Sequence, residues 1–165
     1  MKISILLPYK ENFSPSSAGA VSIFINDTHK ISKFKKNITI FGNTKSKIRF
    51  SKNYINLEYN KSFIKSSSKS YILEFLKKEK EINSDIIELH NRPSYLKYLN
   101  NLKYPKKSLY FHNDPLEMSG SKKIDDRIYL IDNLDKIIFN SNWSKSRFIK
   151  NLPENYITSS KLKII

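Results

Sequence analysis

Two apolar runs of this 165-residue chain end in a histidine, in DIIELHNRP and in SLYFHNDP. His90 is followed by Asn91 and Arg92, and His112 by Asn113 and Asp114. An imidazole N–H donates a hydrogen bond, so His112 suits a sugar hydroxyl or a phosphate oxygen, with Asp114 at hand to orient a partner. The planar fork of Arg92 matches a phosphate or a carboxylate. Plainer readings stand beside these: a strand-end histidine that only packs, a surface arginine, an Asp-Pro turn at 114–115. A third run, KIIF, leads into NSNWS. There Asn140 and Ser141 can bond a ligand, although Ser141 is better placed as a helix N-cap. The remaining histidine, His29, sits among polar neighbours and reads as a surface or packing residue.

The N-terminal segment poses a different question. ISILLP is followed by SPSSAGAVSIF, in which Gly19, between Ala18 and Ala20, is one of three glycines in the chain. A loop that ends at a helix N-terminus presents unpaired N–H groups and a partial positive charge, suited to phosphate or carboxylate. Gly19 would let such a group approach without a Cβ in the way. It also serves as a plain helix-start residue, and the strict GxGxxG dinucleotide pattern is missing.

Other chemistries find no support. The chain has no cysteine, which removes disulfides and thiolate zinc sites. His90, His112 and Asp114 lack a fixed additional ligand, so no metal is expected. No nucleophile elbow accompanies a Ser–His–Asp set. Trp143 reads as a packing residue of the helix that starts at Ser141.

Hydrophobic content of 39% and aromatic content of 13% fit a folded globular chain with one core. Thirty Lys and Arg against 15 Asp and Glu give a net charge of +15, which attracts phosphate-bearing partners. Most lysines are scattered, with KFKK (33–36) and LKKEKE (76–81) the densest runs. A solvated surface shaped by a Lys-, Asn- and Ile-rich composition accounts for them equally. The apolar start is too short for a secretory leader or a membrane span, so a reducing, cytoplasmic setting is expected.

The positioning elements follow from periodicity. Buried strands are predicted at 3–8, 37–42, 85–90, 108–112, 136–139 and 162–165, with a further strand in YINLEY (54–59). Helices are predicted from Ser17, with Ser16 or Ser17 as N-cap, at 70–82, at 93–102, around Ile124, Ile128 and Ile131, and at 141–149. KSFIKSSSKS (61–70) reads as an exposed loop. Strand–helix alternation with near-continuous apolar strands predicts an α/β, Rossmann-like parallel sheet with helices on both faces. Right-handed crossovers place the strands' carboxyl ends at one edge, where ligands of such sheets bind.

The succession ISILLP…ENFSPSSAGAVSIF, DIIELHNRP, LYFHNDP and IIFNSNWSKSRF resembles the N-terminal domain of family 4 glycosyltransferases of the GT-B fold. The nearest likeness is to bacterial members that build lipopolysaccharide or other surface polysaccharides. It covers nearly all of 1–165 and is weakest from about 45 to 70. The resemblance implies half of a GT-B fold and a retaining, metal-independent transfer of a hexose from a nucleotide sugar to a glycan or lipid-linked acceptor. No cofactor beyond that substrate is implied. His112 would contact the reacting sugar, and Ala18, Gly19 and Ala20 the donor phosphates or sugar. His90, Asn91 and Arg92, with Asn113, Asp114, Asn140 and Ser141, would lie on the acceptor side. The family usually has two glycines where Ala18-Gly19 stand. Its C-terminal donor domain, with the E-x7-E carboxylates, is expected to follow KLKII. Half a cleft cannot hold donor and acceptor in a reactive geometry, so 1–165 alone is expected to be inactive. The alternative is a basic Rossmann-like module that binds nucleic acid or anionic membrane without catalysis. The phenylalanines fit core positions, which argues against nucleic acid, and a peripheral seat on the inner face of a membrane is compatible with the transferase reading.

Overall fold

Apolar runs bounded by turn residues become strands, and the amphipathic stretches between them become helices. The computed structural model describes residues 1–58, 67–102 and 104–165. In chain order these form β1 (Ile3–Leu6), α1 (Ala20–Ile31), β2 (Ile38–Gly42), β3 (Tyr54–Asn56), α2 (Ser67–Ile82) and β4 (Ile86–His90). There follow α3 (Leu96–Leu99), β5 (Lys106–Phe111), α4 (Ile124–Asn133), β6 (Lys136–Phe139), α5 (Asn142–Ile149), α6 (Glu154–Ile157) and β7 (Leu162–Ile164). The seven strands make one sheet in the order β3-β2-β1-β4-β5-β6-β7. β1 with β2, β2 with β3, β5 with β6 and β6 with β7 all pair in parallel. This is the Rossmann-like α/β architecture expected of the sequence. Buried parallel strands read as unbroken apolar runs, which is why the sequence shows them so plainly.

The chain divides into two compact units, Met1–Ile86 and Ile87–Ile165. In the first, Ile3, Ile5, Leu7, Phe13, Val21, Ile25, Ile38 and Ile40 form a buried cluster with Phe24, Phe50 and Tyr54 packed against it. Phe13 stacks on Tyr54 at 5.5 Å and meets the edge of Phe50 at 5.3 Å. Burying each such side chain is worth about 1.5–3 kcal/mol. Glu79, on the buried face of α2, is also inside. Its Oε2 accepts from Ser4 Oγ of β1 at 2.5 Å, and its Oε1 from the Ser84 N–H at 2.8 Å. The second unit is centred on Phe111, Phe139 and Phe148, whose ring centroids lie 5.3–5.7 Å apart. Ser144 and Phe148, four residues apart, are the buried stripe of α5.

Several sequence expectations need correction. Helix α1 begins at Ala20 with Gly19 as N-cap, not with Ser16 or Ser17, and no side chain of the cap residue bonds the helix. Ser67–Ser70 belong to α2 rather than to a loop, because the buried series Tyr71, Phe75 and Glu79 extends the helix register backwards. The loop expected at 61–66 and the Tyr59 end of YINLEY lie outside the described residues. The helix expected over 93–102 is a 3-10 turn at Pro93–Tyr95 followed by the single turn of α3. Asn100 and Asn101 favour turn geometry and end it. Trp143 does not pack inward: it is 59% exposed, one position off the Ser144–Phe148 stripe, and carries the Arg147 guanidinium 5.8 Å above its ring. The short helix α6 had no signal in the apolar periodicity.

Candidate functional site

In the Ile87–Ile165 unit the site is built on strand alternation. Residues two apart on a strand share a face, so Glu88 and His90 of β4 stand on one face, as do Tyr110 and His112 at the end of β5. β4 and β5 are neighbours in the sheet. His90 Nδ1 lies 2.8 Å from His112 Nε2, and His90 stacks on the Tyr110 ring at 4.7 Å. Glu88 Oε2 is 3.9 Å from His90 Nε2. A hydrogen bond between the two rings takes a donor nitrogen from one and an acceptor nitrogen from the other. Burial, and the facing His90, push the His112 pKa down from 6.5 to about 4. His112 is therefore uncharged at neutral pH. Burial and the Glu88 carboxylate push the Tyr110 hydroxyl up, so it stays protonated.

Around this pair the backbone is fixed by Asn91. Its φ of 51° places it in the left-handed region, which asparagine tolerates better than most residues. Its N–H donates to the Tyr110 carbonyl at 2.9 Å, and its Oδ1 accepts from the His112 N–H at 2.8 Å. Its Nδ2 reaches Asn113 Oδ1 only at 3.5 Å. Asn140, at the end of β6, donates from Nδ2 to the His112 carbonyl at 2.9 Å. Three strand ends are thus tied to one histidine.

The remaining site residues have local duties. His90 and Asn91 are 1% and 6% exposed. Arg92 folds back, donating from Nη1 to the Asn91 carbonyl at 2.8 Å. Asp114 accepts from the Leu116 N–H through Oδ1 and from Arg147 Nε and Nη2 through Oδ2, at 2.9, 3.0 and 2.8 Å. Burial raises the Asp114 pKa, but the Arg147 and Leu116 hydrogen bonds and the Arg147 charge outweigh it and hold the carboxyl below its ordinary value. Asp114 is therefore a turn cap and ion-pair partner. Ser141 caps α5, its Oγ accepting from the Ser144 N–H at 3.1 Å, which is the plainer of its two expected roles. His29 is a partly exposed residue whose Nε2 lies 3.2 Å from the Lys35 carbonyl.

In the Met1–Ile86 unit, Ala18, Gly19 and Ala20 lie at the N-terminus of α1 as expected. Gly19 has φ −83° and ψ 171°, an extended conformation open to any residue. What its missing Cβ allows is space: a Cβ there would sit 2.4 Å from Glu11 Oε1. That same oxygen accepts from the Ser22 N–H, on the first turn of α1, at 3.0 Å. A carboxylate of this chain thus occupies the position that the sequence suggested for a bound anion. Among the described residues no three His, Cys, Asp or Glu side chains cluster in a way that could hold a metal ion.

Sequence reasoning missed Glu88, Tyr110, Arg147 and Glu11. The first two carried a signal, the E-x-H and Y-x-H alternation into each strand end. Arg147 and Glu11 are loop-to-helix partners with no periodic trace.

No protein-family model and no curated protein matches this chain. Solved structures do. Sucrose-phosphate synthase from Thermosynechococcus elongatus superposes over 100% of this chain and 48% of its own, with a TM-score of 0.69 and 10% identity. The Anabaena protein HepE, solved in complex with UDP and glucose, matches over 100% of this chain and 44% of its own, with a TM-score of 0.62 and 16% identity. A HepE structure with UDP-glucose gives a TM-score of 0.59 at 15% identity. The chain thus spans about half the length of these structures, and what it shares with them is the fold.

Proposed function

We propose that the chain is the N-terminal, acceptor-side domain of a GT-B glycosyltransferase that uses a nucleotide sugar. The observation that supports this reading is the paired strand-end histidines, His90 and His112, in a fold whose own full length matches about half of sucrose-phosphate synthase and of the UDP-glucose-bound HepE. The reaction is the retaining, metal-independent transfer of a hexose to a glycan or lipid-linked acceptor, of the kind that builds bacterial surface polysaccharide. His112, partly exposed and neutral, touches the transferred sugar. Asn91 and Asn140 hold its backbone, and His90 supports its ring. Asn113, exposed beside it, meets the acceptor. A second domain supplies nucleotide binding and the E-x7-E carboxylates, since one wall of a cleft cannot align two substrates. The setting is cytoplasmic, at or near the membrane; no helix among the described residues is long and apolar enough to cross one.

The test is a transfer assay on the native polypeptide purified from its source cells, offered UDP-, GDP- and ADP-hexoses in turn. One of these is expected to be consumed, and His112→Ala is expected to lower kcat/KM about a hundredfold, the size of one positioned hydrogen-bonding or proton-transfer group. A polypeptide that neither binds nor consumes any of them would sink the proposal.

A further inference from the structure

The chain has one tryptophan, and the site described so far does not use it. Trp143 is the second residue of α5, four positions beyond the end of β6. β6 pairs with β5 in parallel, Phe139 beside Phe111, so Trp143 follows the same strand-end edge as His112 and Asn140. Ser144 and Phe148 of α5 are buried, and Trp143, one position off that stripe, is left in the open. Singly exposed apolar side chains are ordinary on protein surfaces. Trp143 differs in how its ring is held. Arg147, four residues further along α5, sets its guanidinium 5.8 Å from the ring centroid. Asp114 Oδ2 fixes that guanidinium, accepting from Nε at 3.0 Å and from Nη2 at 2.8 Å. Asp114 is itself tied to the Leu116 N–H at 2.9 Å. The indole is thus braced by contacts rooted in the turn after β5, and a ligand that lands on it has less side-chain freedom to freeze out.

The chemistry at this edge selects a class of ligand. The face of an aromatic ring carries partial negative charge and attracts the weakly positive C–H groups of a flat apolar surface. The polar side chains that the strand ends leave exposed here are amides, Asn113 next to Asp114 and Asn140 three residues before Trp143. An amide offers both donor and acceptor, which a hydroxyl matches. Arg147, the cation at the ring, is committed to the Asp114 carboxylate and gives an anion little to bind. A molecule with a C–H face and a rim of hydroxyls satisfies all three conditions, and a phosphate does not. We propose that Trp143 is a stacking platform for a neutral pyranose ring, with Asn113 and Asn140 taking its hydroxyls and Arg147, held by Asp114, positioning the indole. That this sugar belongs to the acceptor rests on the proposed transferase function; recognition of a sugar by Trp143 does not.

Because Trp143 is the sole tryptophan, the intrinsic fluorescence of the full 165-residue chain reports on it alone. Glucose, galactose, maltose and cellobiose are added in turn, then inorganic phosphate and phosphatidylglycerol vesicles. The expected result is a saturable change in emission with at least one saccharide in the millimolar range and none with phosphate. Arg147→Lys keeps the charge but loses the planar fork that Asp114 grips. It is expected to lower the fluorescence anisotropy of Trp143 and to weaken saccharide binding several-fold. Trp143→Ala has no emission, so its binding is followed by ligand-observed NMR, and a roughly tenfold loss of affinity is expected. The wild-type titration decides the proposal even if a variant fails to fold. No saturable response to any of the four saccharides overturns the platform. So does a Trp143→Ala affinity equal to wild type, or a blue shift on vesicles with no response to sugars, which would make Trp143 a membrane contact. The two readings fail separately. A saccharide response without consumption of any nucleotide sugar keeps the platform and removes the transferase, and transfer with a silent Trp143 does the reverse.

Discussion

A half-buried imidazole that faces a second imidazole resists protonation, and the cost appears as acid sensitivity. His112 has a folded-state pKa of about 4, against 6.5 when solvated. Above 6.5 neither state binds the proton and the residue is silent. As pH falls below 6.5, the unfolded chain takes up a proton that the folded chain refuses, so stability is lost progressively until about pH 4. His112→Gln is expected to flatten urea midpoints over that window, and a variant with the wild-type slope would refute the assignment. Asp114 behaves in the opposite sense. Its folded pKa is lowered by Arg147 and the Leu116 N–H, so its contribution is complete above the ordinary carboxylate value and is lost only as pH falls through the lowered one. The two windows are therefore separable, and Asp114→Asn should leave the higher one untouched. At this scale the sequence exposes what stands at a strand end and hides what stands two residues before it. His90 and His112 break an apolar run and draw notice. Glu88 and Tyr110 matter only because β4 lies beside β5, a fact of topology that no local pattern carries.

Helix starts and chain crossings show which glycines the elements need. At Gly19 the obstacle to a Cβ is the end of a flexible carboxylate, and the backbone is extended. Gly19→Ala therefore displaces Glu11 from the α1 N-terminus, a loss of about 1 kcal/mol for a cap, partly offset by about 0.4–1 kcal/mol from a stiffer unfolded chain. Near-neutrality is expected. In a Glu11→Ala background the displacement has no further cost, so the same substitution should turn stabilising, and an additive double-mutant cycle would contradict the contact. Gly120 is the stricter case. Its φ is +93°, and a Cβ would meet the Ser94 backbone nitrogen at 2.7 Å, so Gly120→Ala should cost more than Gly19→Ala, roughly 1–3 kcal/mol. Glu79 ties α2 to β1 and to the turn before β4 through Ser4 and Ser84. Glu79→Ala leaves buried donors unsatisfied, and a drop of about 1–3 kcal/mol in chemical denaturation is expected. The elements themselves were legible because buried parallel strands need long apolar runs. Their ends were less so. The α1 start depends on a carboxylate eight residues before its cap, and α2 begins a turn early on the strength of a buried stripe.

At the scale of the whole molecule the remaining property is charge, +15 over 165 residues. Within the densest run Lys33, Lys35 and Lys36 are exposed, and among the described residues the lysine–carboxylate pairs, Lys77–Glu74, Lys78–Glu81 and Lys30–Asp27, lie at the surface. Such pairs are worth about 0–1 kcal/mol and leave the net field intact. A field of this sign favours any phosphate-rich surface, but the means of engagement differ. Single-stranded nucleic acid binding adds aromatic stacking to charge; here Phe13, Phe41, Phe75, Phe111, Phe139 and Phe148 are buried, while Phe34, Tyr104 and Trp143 are exposed at separate places along the chain. An anionic bilayer asks only for basic side chains, at about 1 kcal/mol each near its surface. It is also where a lipid-linked acceptor would be found. The expected outcome is binding to vesicles containing anionic lipid at low salt, little binding to neutral vesicles, and release as the Debye length shortens from about 10 Å at 0.1 M toward 3 Å at 1 M salt. Equal binding to both vesicle types, or binding that survives high salt, would mean that charge is not what brings this chain to a membrane. The +15 would then be a solvated surface, as the scatter of its lysines along the sequence also allows.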